Sequence, residues 1–145
     1  MYPRKLLDIR WRDLAFGTIY FFSPREVFGE KYKPCFSVRT GFDALLSTLN
    51  FPEQSEIIMP GMTIPSMLEI VRAHNLAPVG CDVSLESLLP SITDLENALT
   101  LKTKVIVITH MFGCRNDLKE IASWAKKHSL FLIEDSAQVF TGFDT

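Results

Sequence analysis

The stretch Lys104-Val105-Ile106-Val107-Ile108-Thr109 reads KVIVIT, β-branched from Val105 onward and without a polar residue in its interior. A strand with one wet face alternates apolar and polar side chains. This one does not alternate, so it is expected to be covered on both faces. Downstream, Asn116 or Asp117 stands where a helix would be capped, and Leu118, Ile121, Ala122 and Ala125 form its apolar stripe. Leu130 to Ile133 then reads as another buried strand.

The same rhythm extends upstream. Asp94 to Leu99 reads as a short helix, and Pro78 to Val83 as a strand ending at Cys81-Asp82. Glu56 to Met59 (EIIM) is a strand stopped by Pro60, and Pro65 opens a helix to His74 with Met67, Leu68 and Val71 inward. Thr40 to Asn50 carries Phe42, Leu45, Leu46 and Leu49 at helical spacing, with Thr40 and Asp43 three residues apart as a capping box. Apolar strands separated by helices predict an α/β fold, a mostly parallel sheet covered by helices.

The 145 residues, 47% of them hydrophobic, suffice for one globular core. With 15 basic and 17 acidic residues the net charge is close to zero, which gives no general attraction to nucleic acid or anionic membrane. Cys35, Cys81 and Cys114 are odd in number and form no CxxC pair, so reduced intracellular thiols are expected rather than a disulfide framework or zinc site. The uncharged run Leu14 to Phe22 is too short to span a bilayer, which takes roughly 20 residues. The aromatic crowd of Trp11, Phe16, Tyr20, Phe21, Phe22 and Phe28 is read as an amphipathic lead segment packed on the domain or a second subunit. The composition shifts near residue 35, dividing the chain into a lead segment over 1–36 and an α/β body over 37–145.

Ligands of such sheets bind beyond the carboxyl ends of the strands. The candidate positions are therefore Pro60 to Ile64, Asp82, His110 to Gly113, and Glu134 to Gln138, with Thr40-Gly41-Phe42 if that helix start faces the same side. Gly41 would let an anion approach the helix amides, but the same residues read first as a plain helix cap. GxGxxG and GxxxxGK[ST] loops are both absent. His110, in THMFG, reads as a hydrogen-bonded turn histidine, and no second His or Cys stands at metal-ligand spacing. Asp135 closes a buried strand, where a carboxylate costs several kcal/mol unless paired. Its partner is either a cluster of backbone N–H groups or a cationic ligand such as a protonated ring nitrogen, and Gln138 is near enough to reach the same ligand.

Three blocks occur in a familiar order: GFDALL, then EIIMPGMTIPSMLEIVRAHNLAPVGCDV, then TKVIVITHMFGCRNDLKEIASWAKKHSLFLIEDSAQ. Together they resemble the DegT/DnrJ/EryC1/StrS family of sugar aminotransferases over about Ser37 to Gln138, roughly two-thirds of the chain. His110, Gly113, Asp117, Glu134, Asp135 and Gln138 match the family pattern HxxG…D…EDxAQ. The resemblance implies the N-terminal half of an aspartate-aminotransferase-like (fold type I) large domain using pyridoxal 5′-phosphate (PLP). Asp135 would then pair with the pyridinium nitrogen, Gln138 would lie near the phenolic oxygen, and Gly41 and Phe42 would stand where the helix start holds the phosphate. The implied activity moves an amino group, usually from glutamate, to a keto group of a nucleotide-linked sugar. Homodimers are implied with it, and a cytoplasmic setting is expected from the reduced thiols.

Phe42 replaces the usual Thr or Ser, and Ile64 replaces the aromatic ring cover that follows PxxT. The family's Schiff-base lysine lies beyond EDxAQ, whereas this chain reaches only Thr145. None of Lys102, Lys104, Lys119, Lys126 and Lys127 takes its place by sequence. A truncated, inactive aminotransferase with no catalytic lysine is expected, the alternative being a degenerate, non-catalytic relative serving binding or dimer assembly.

Overall fold

The computed structural model describes Trp11, Arg12, Ala15 and residues 33–139. The chain divides into two compact units, Met1–Pro34 and Cys35–Thr145. Apart from Trp11, the aromatic lead segment lies outside the described residues. The second unit runs α1 (Val38–Leu49), β1 (Glu56–Pro60), α2 (Pro65–Ala73), β2 (Ala77–Cys81), α3 (Ile92–Ala98), β3 (Thr103–Thr109), α4 (Lys119–Lys127) and β4 (Phe131–Asp135). The four strands form one sheet in the order β2-β1-β3-β4, with every neighbouring pair parallel.

β3 is covered on both sides, as its composition requires. Val105 and Val107 join Ile57 and Met59 under α1 and α2, where Phe42, Leu46, Met67 and Val71 complete one core. Ile106 and Ile108 point the other way, into a second core with Ile58, Leu95, Ile121 and Trp124 from α3 and α4. Alternate residues of a single strand thus feed two cores, which follows from the two-residue period of the pleat. The chain crosses from β1 to β2 in one direction and from β2 to β3 and β3 to β4 in the other. Crossovers of a single hand then put α2 on one face and α3 and α4 on the opposite one, the distribution found here. The reversal leaves a crevice at the carboxyl ends of β1 and β3.

Three helix starts differ from the sequence reading, and α1, α2 and α3 each end one residue earlier than read. α1 starts at Val38, not Thr40, because Ser37 in extended backbone accepts the Thr40 N–H on its Oγ at 3.1 Å. α3 starts at Ile92, where Ser91 and Asp94 form a reciprocal capping box. α4 starts at Lys119, and Asp117 Oδ1 takes the Lys119 N–H at 2.9 Å from just outside the helix. The inward face of α4 also differs: Trp124 is buried and Ala122 exposed. Trp124 tolerates burial because its indole Nε1–H donates to Glu96 Oε1 at 2.6 Å, tying α4 to α3.

Two measurements check these packing statements. Ile106 is fully buried, so Ile106→Ala is expected to lower stability in urea by about 2–5 kcal/mol through lost burial and the cavity left behind. The indole hydrogen bond, with His128 and Lys127 adding to it, holds the Glu96 carboxyl below its ordinary range. That stabilisation is present above the unfolded value, ordinarily about 4.3, and is lost as the pH falls through the lowered folded value. Glu96→Gln is therefore expected to be less stable than the parent at pH 7, with the gap closing in urea melts below about pH 4.

Candidate functional site

The carboxyl ends of β1, β3 and β4 converge with the first turn of α1 around two adjoining clefts. One, of about 490 Å³, has Gly41, Phe42, Leu45, Ile133 and Asp135 among its lining. The other, of about 280 Å³, is lined by Arg39, Ile64, Phe112, Asp135 and Gln138 among others. Val38, Met67, Asp135 and Ala137 border both. All five residues singled out from the sequence, Gly41, Phe42, Ile64, Asp135 and Gln138, therefore come to one end of the sheet. The larger cleft falls in the range of small-molecule sites, about 300–1,000 Å³.

Asp135 is half-buried and held by its own turn: Oδ1 accepts the Ala137 N–H at 3.0 Å, while the Asp135 carbonyl accepts the His110 N–H at 3.0 Å. No described residue bonds Oδ2. Gln138 Oε1 accepts the Phe112 N–H at 2.7 Å, which leaves the carboxamide N–H groups for another acceptor. Phe112 sits at φ 55° and Gly113 at φ 84° in the turn that this bond fastens. An unpaired carboxylate oxygen and a carboxamide donor on one cleft suit a planar ligand with a cationic N–H and an acceptor oxygen. The walls from Met62, Ile64, Met67 and Met111 are apolar, as a ring requires.

His110 is fully buried and serves the scaffold. Its Nδ1 accepts the Asn116 N–H at 3.4 Å, and that bond places the ring proton on Nε2, 2.8 Å from Glu134 Oε1. Asn116 Nδ2 in turn donates to the Ser87 carbonyl at 2.7 Å. The turn-histidine reading holds, and Glu134 of the acidic pair faces the histidine while Asp135 faces the clefts. That pairing follows from the pleat, since neighbours along a strand point to opposite faces.

The helix start is placed differently from the sequence reading. With α1 beginning at Val38, the Gly41 N–H already bonds the Ser37 carbonyl at 3.0 Å, so it is an interior helix donor. Phe42 is 5% exposed and belongs to the core beneath α1. The charged residue that lines the second cleft from the first turn, beside Val38, is Arg39, which sequence reasoning missed because the helix was started two residues late. The β2 end does not join the clefts. Asp82 lines a separate depression with Cys81 and Asp94, where burial first, then those two carboxylates, push the Cys81 thiol up. Among the described residues, no lysine lines either site cleft and no group of His, Cys, Asp and Glu is placed to hold a metal ion. No described helix is long and apolar enough to cross a membrane.

Residues 27–142 match the model of the DegT/DnrJ/EryC1/StrS aminotransferase family. The chain belongs to that family. Among relatives of this DegT/DnrJ/EryC1/StrS member, GDP-perosamine synthase of Escherichia coli O157:H7 is 29% identical over 142 residues, 96% of this chain and 39% of the relative. UDP-N-acetyl-3-dehydro-alpha-D-glucosamine 3-aminotransferase of Acidithiobacillus ferrooxidans is 35% identical over 102 residues, 68% of this chain and 28% of the relative. Of solved structures, ntda from Bacillus subtilis with bound cofactor PMP is similar with a TM-score of 0.61 and 29% identity, over 68% of this chain and 23% of that one. The chain thus spans well under half the length of each of these proteins. Its all-parallel sheet is that of fold-type I aminotransferases.

The buried histidine gives a direct check on the scaffold. Glu134→Leu removes the acceptor of the His110 ring N–H and is expected to cost about 1–3 kcal/mol in a urea melt. Ser136→Ala, whose hydroxyl lies 3.4 Å from the same carboxylate, is expected to change stability by less than about 0.5 kcal/mol.

Proposed function

We propose that this chain forms one wall of a PLP site in an aminotransferase acting on nucleotide-linked keto sugars, with glutamate or a similar amine as donor. The observation that carries this reading is Asp135. Its Oδ2 has no bond from any described residue, and Asp135 lines both clefts, of about 490 and 280 Å³, in a chain related to nucleotide-sugar aminotransferases. Asp135 would hold the ring nitrogen, Gln138 would donate to the phenolic oxygen, and Ile64 with Ala137 would confine the ring. PLP supplies an electron-accepting ring that carries the amino group between donor and acceptor. The protein's part at these positions is to keep a proton on the ring nitrogen, orient the ring and exclude water from its faces.

On this reading the protein works in the cytoplasm as a homodimer, as membership of this family implies, and supplies amino sugars to polysaccharides or antibiotics. The 145 residues alone are expected to bind without turnover, because no described lysine lines the clefts. Phe42 and Ile64 favour a second reading, a non-catalytic relative kept for binding or assembly. Phe42 offers no hydroxyl, and Ile64 is 52% exposed and not aromatic.

Pyridoxamine 5′-phosphate tests the site without forming imines on surface lysines. Calorimetric titration of the 145-residue chain is expected to show saturable binding that Asp135→Asn weakens about ten-fold or more, the value of one charge-assisted hydrogen bond. Binding by parent and variant alike would remove Asp135 from the site. No binding by the parent would leave the second reading, with the chain serving assembly.

A further inference from the structure

The second cleft is lined by charges of opposite sign that do not meet. Arg39 and Asp135 both border it, yet no ion pair joins them, and Arg39 is exposed with no hydrogen-bond or ion-pair partner among the described residues. A cleft of about 280 Å³ whose lining includes an unpaired arginine and an aspartate with one open carboxylate oxygen suits a bipolar ligand, cationic at one end and anionic at the other. The remaining walls give the middle of that ligand an apolar seat at Met62, Ile64 and Phe112.

We infer that Arg39 is the side chain that holds the anionic end of this ligand, a phosphate monoester. The assignment rests on the PLP reading above for the identity of the ligand, and on the lining of the cleft for the residue. The guanidinium presents a planar fork of N–H donors that matches two phosphate oxygens at once, which a lysine or a single hydroxyl does not. Arg39 also stands at the second position of the twelve-residue α1, where the positive end of the helix adds to its charge. Phe42, on the inner side of the same helix, is committed to the core and contributes no polar group. Recognition of the phosphate has therefore moved from the buried side of the helix to its exposed first turn. Asp135 and Arg39 would divide the ligand between them, one reading the ring and the other the phosphate.

The experiment compares pyridoxamine 5′-phosphate with pyridoxamine, which lacks the phosphate, by calorimetry on the parent chain and on Arg39→Met, Arg39→Lys and Asp135→Asn. The parent is expected to favour the phosphorylated ligand by about ten-fold or more. Arg39→Met should abolish that preference while leaving the pyridoxamine affinity unchanged, and Arg39→Lys should keep part of it. Asp135→Asn should weaken both ligands and preserve their ratio. An unchanged ratio in Arg39→Met would overturn the role of Arg39 and leave the PLP reading standing. Should the parent bind neither ligand, the PLP reading fails, and inorganic phosphate decides the fate of Arg39 by NMR. A saturable shift of its side-chain Nε–H would uphold an anion site, and its absence would overturn one.

Discussion

The two-sided burial of β3 is the constraint on which the rest of this structure depends. A strand whose interior residues are all β-branched and apolar cannot leave either face in water, so each side needs a helix layer. Val105 and Val107 serve the core under α1 and α2, and Ile106 and Ile108 serve the core under α3 and α4. Because crossovers keep one hand, covering both faces obliges the chain to reverse its direction across the sheet. The reversal opens the crevice in which the second cleft lies, between Ile64 after β1 and Thr109 at the end of β3. The site is thus a by-product of how a central strand is covered.

Polar groups around the clefts divide into those that are spent and those left available. His110 and Asn116 use their hydrogen-bonding capacity internally, pinning the β3 turn to β4 and to the loop at Ser87. Such a closed network fixes a turn that contains two residues in left-handed backbone, Phe112 and Gly113. Gln138 spends its oxygen on that turn and Asp135 spends one on the Ala137 N–H of its own, and each retains a second polar group at the clefts. Preorganisation of this kind lowers the entropy that a ligand must lose on binding, since the carboxylate and carboxamide are already oriented. Arg39 is different: it is exposed and paired with nothing described, so its guanidinium is left for a ligand to orient.

Much of this was legible in the amino-acid sequence. KVIVIT, EIIM and the stripe Phe42, Leu45, Leu46, Leu49 encode their elements locally, because the period of the apolar residues is a property of neighbours in the chain. The parallel sheet followed from strands without alternation, and the positions at strand ends pointed to Asp135, Gln138 and Ile64. The family itself could be recognised from the spacing of His110, Gly113, Asp117, Glu134, Asp135 and Gln138.

Tertiary structure decided what depends on partners distant in the chain. Trp124 is inward rather than Ala122 because Glu96, 28 residues away, accepts its indole proton. The cap of α1 is Ser37 because its backbone is extended there, a conformation that composition does not specify. That shift of the helix start took Gly41 out of the set of open amides and brought Arg39 to the cleft. The division of Glu134 to the histidine and Asp135 to the clefts needed the sheet, since only the pleat says which of two adjacent carboxylates faces which side. Local periodicity determined the elements and their order; burial, and the hydrogen bonds that burial makes obligatory, decided which side chains were left over to bind.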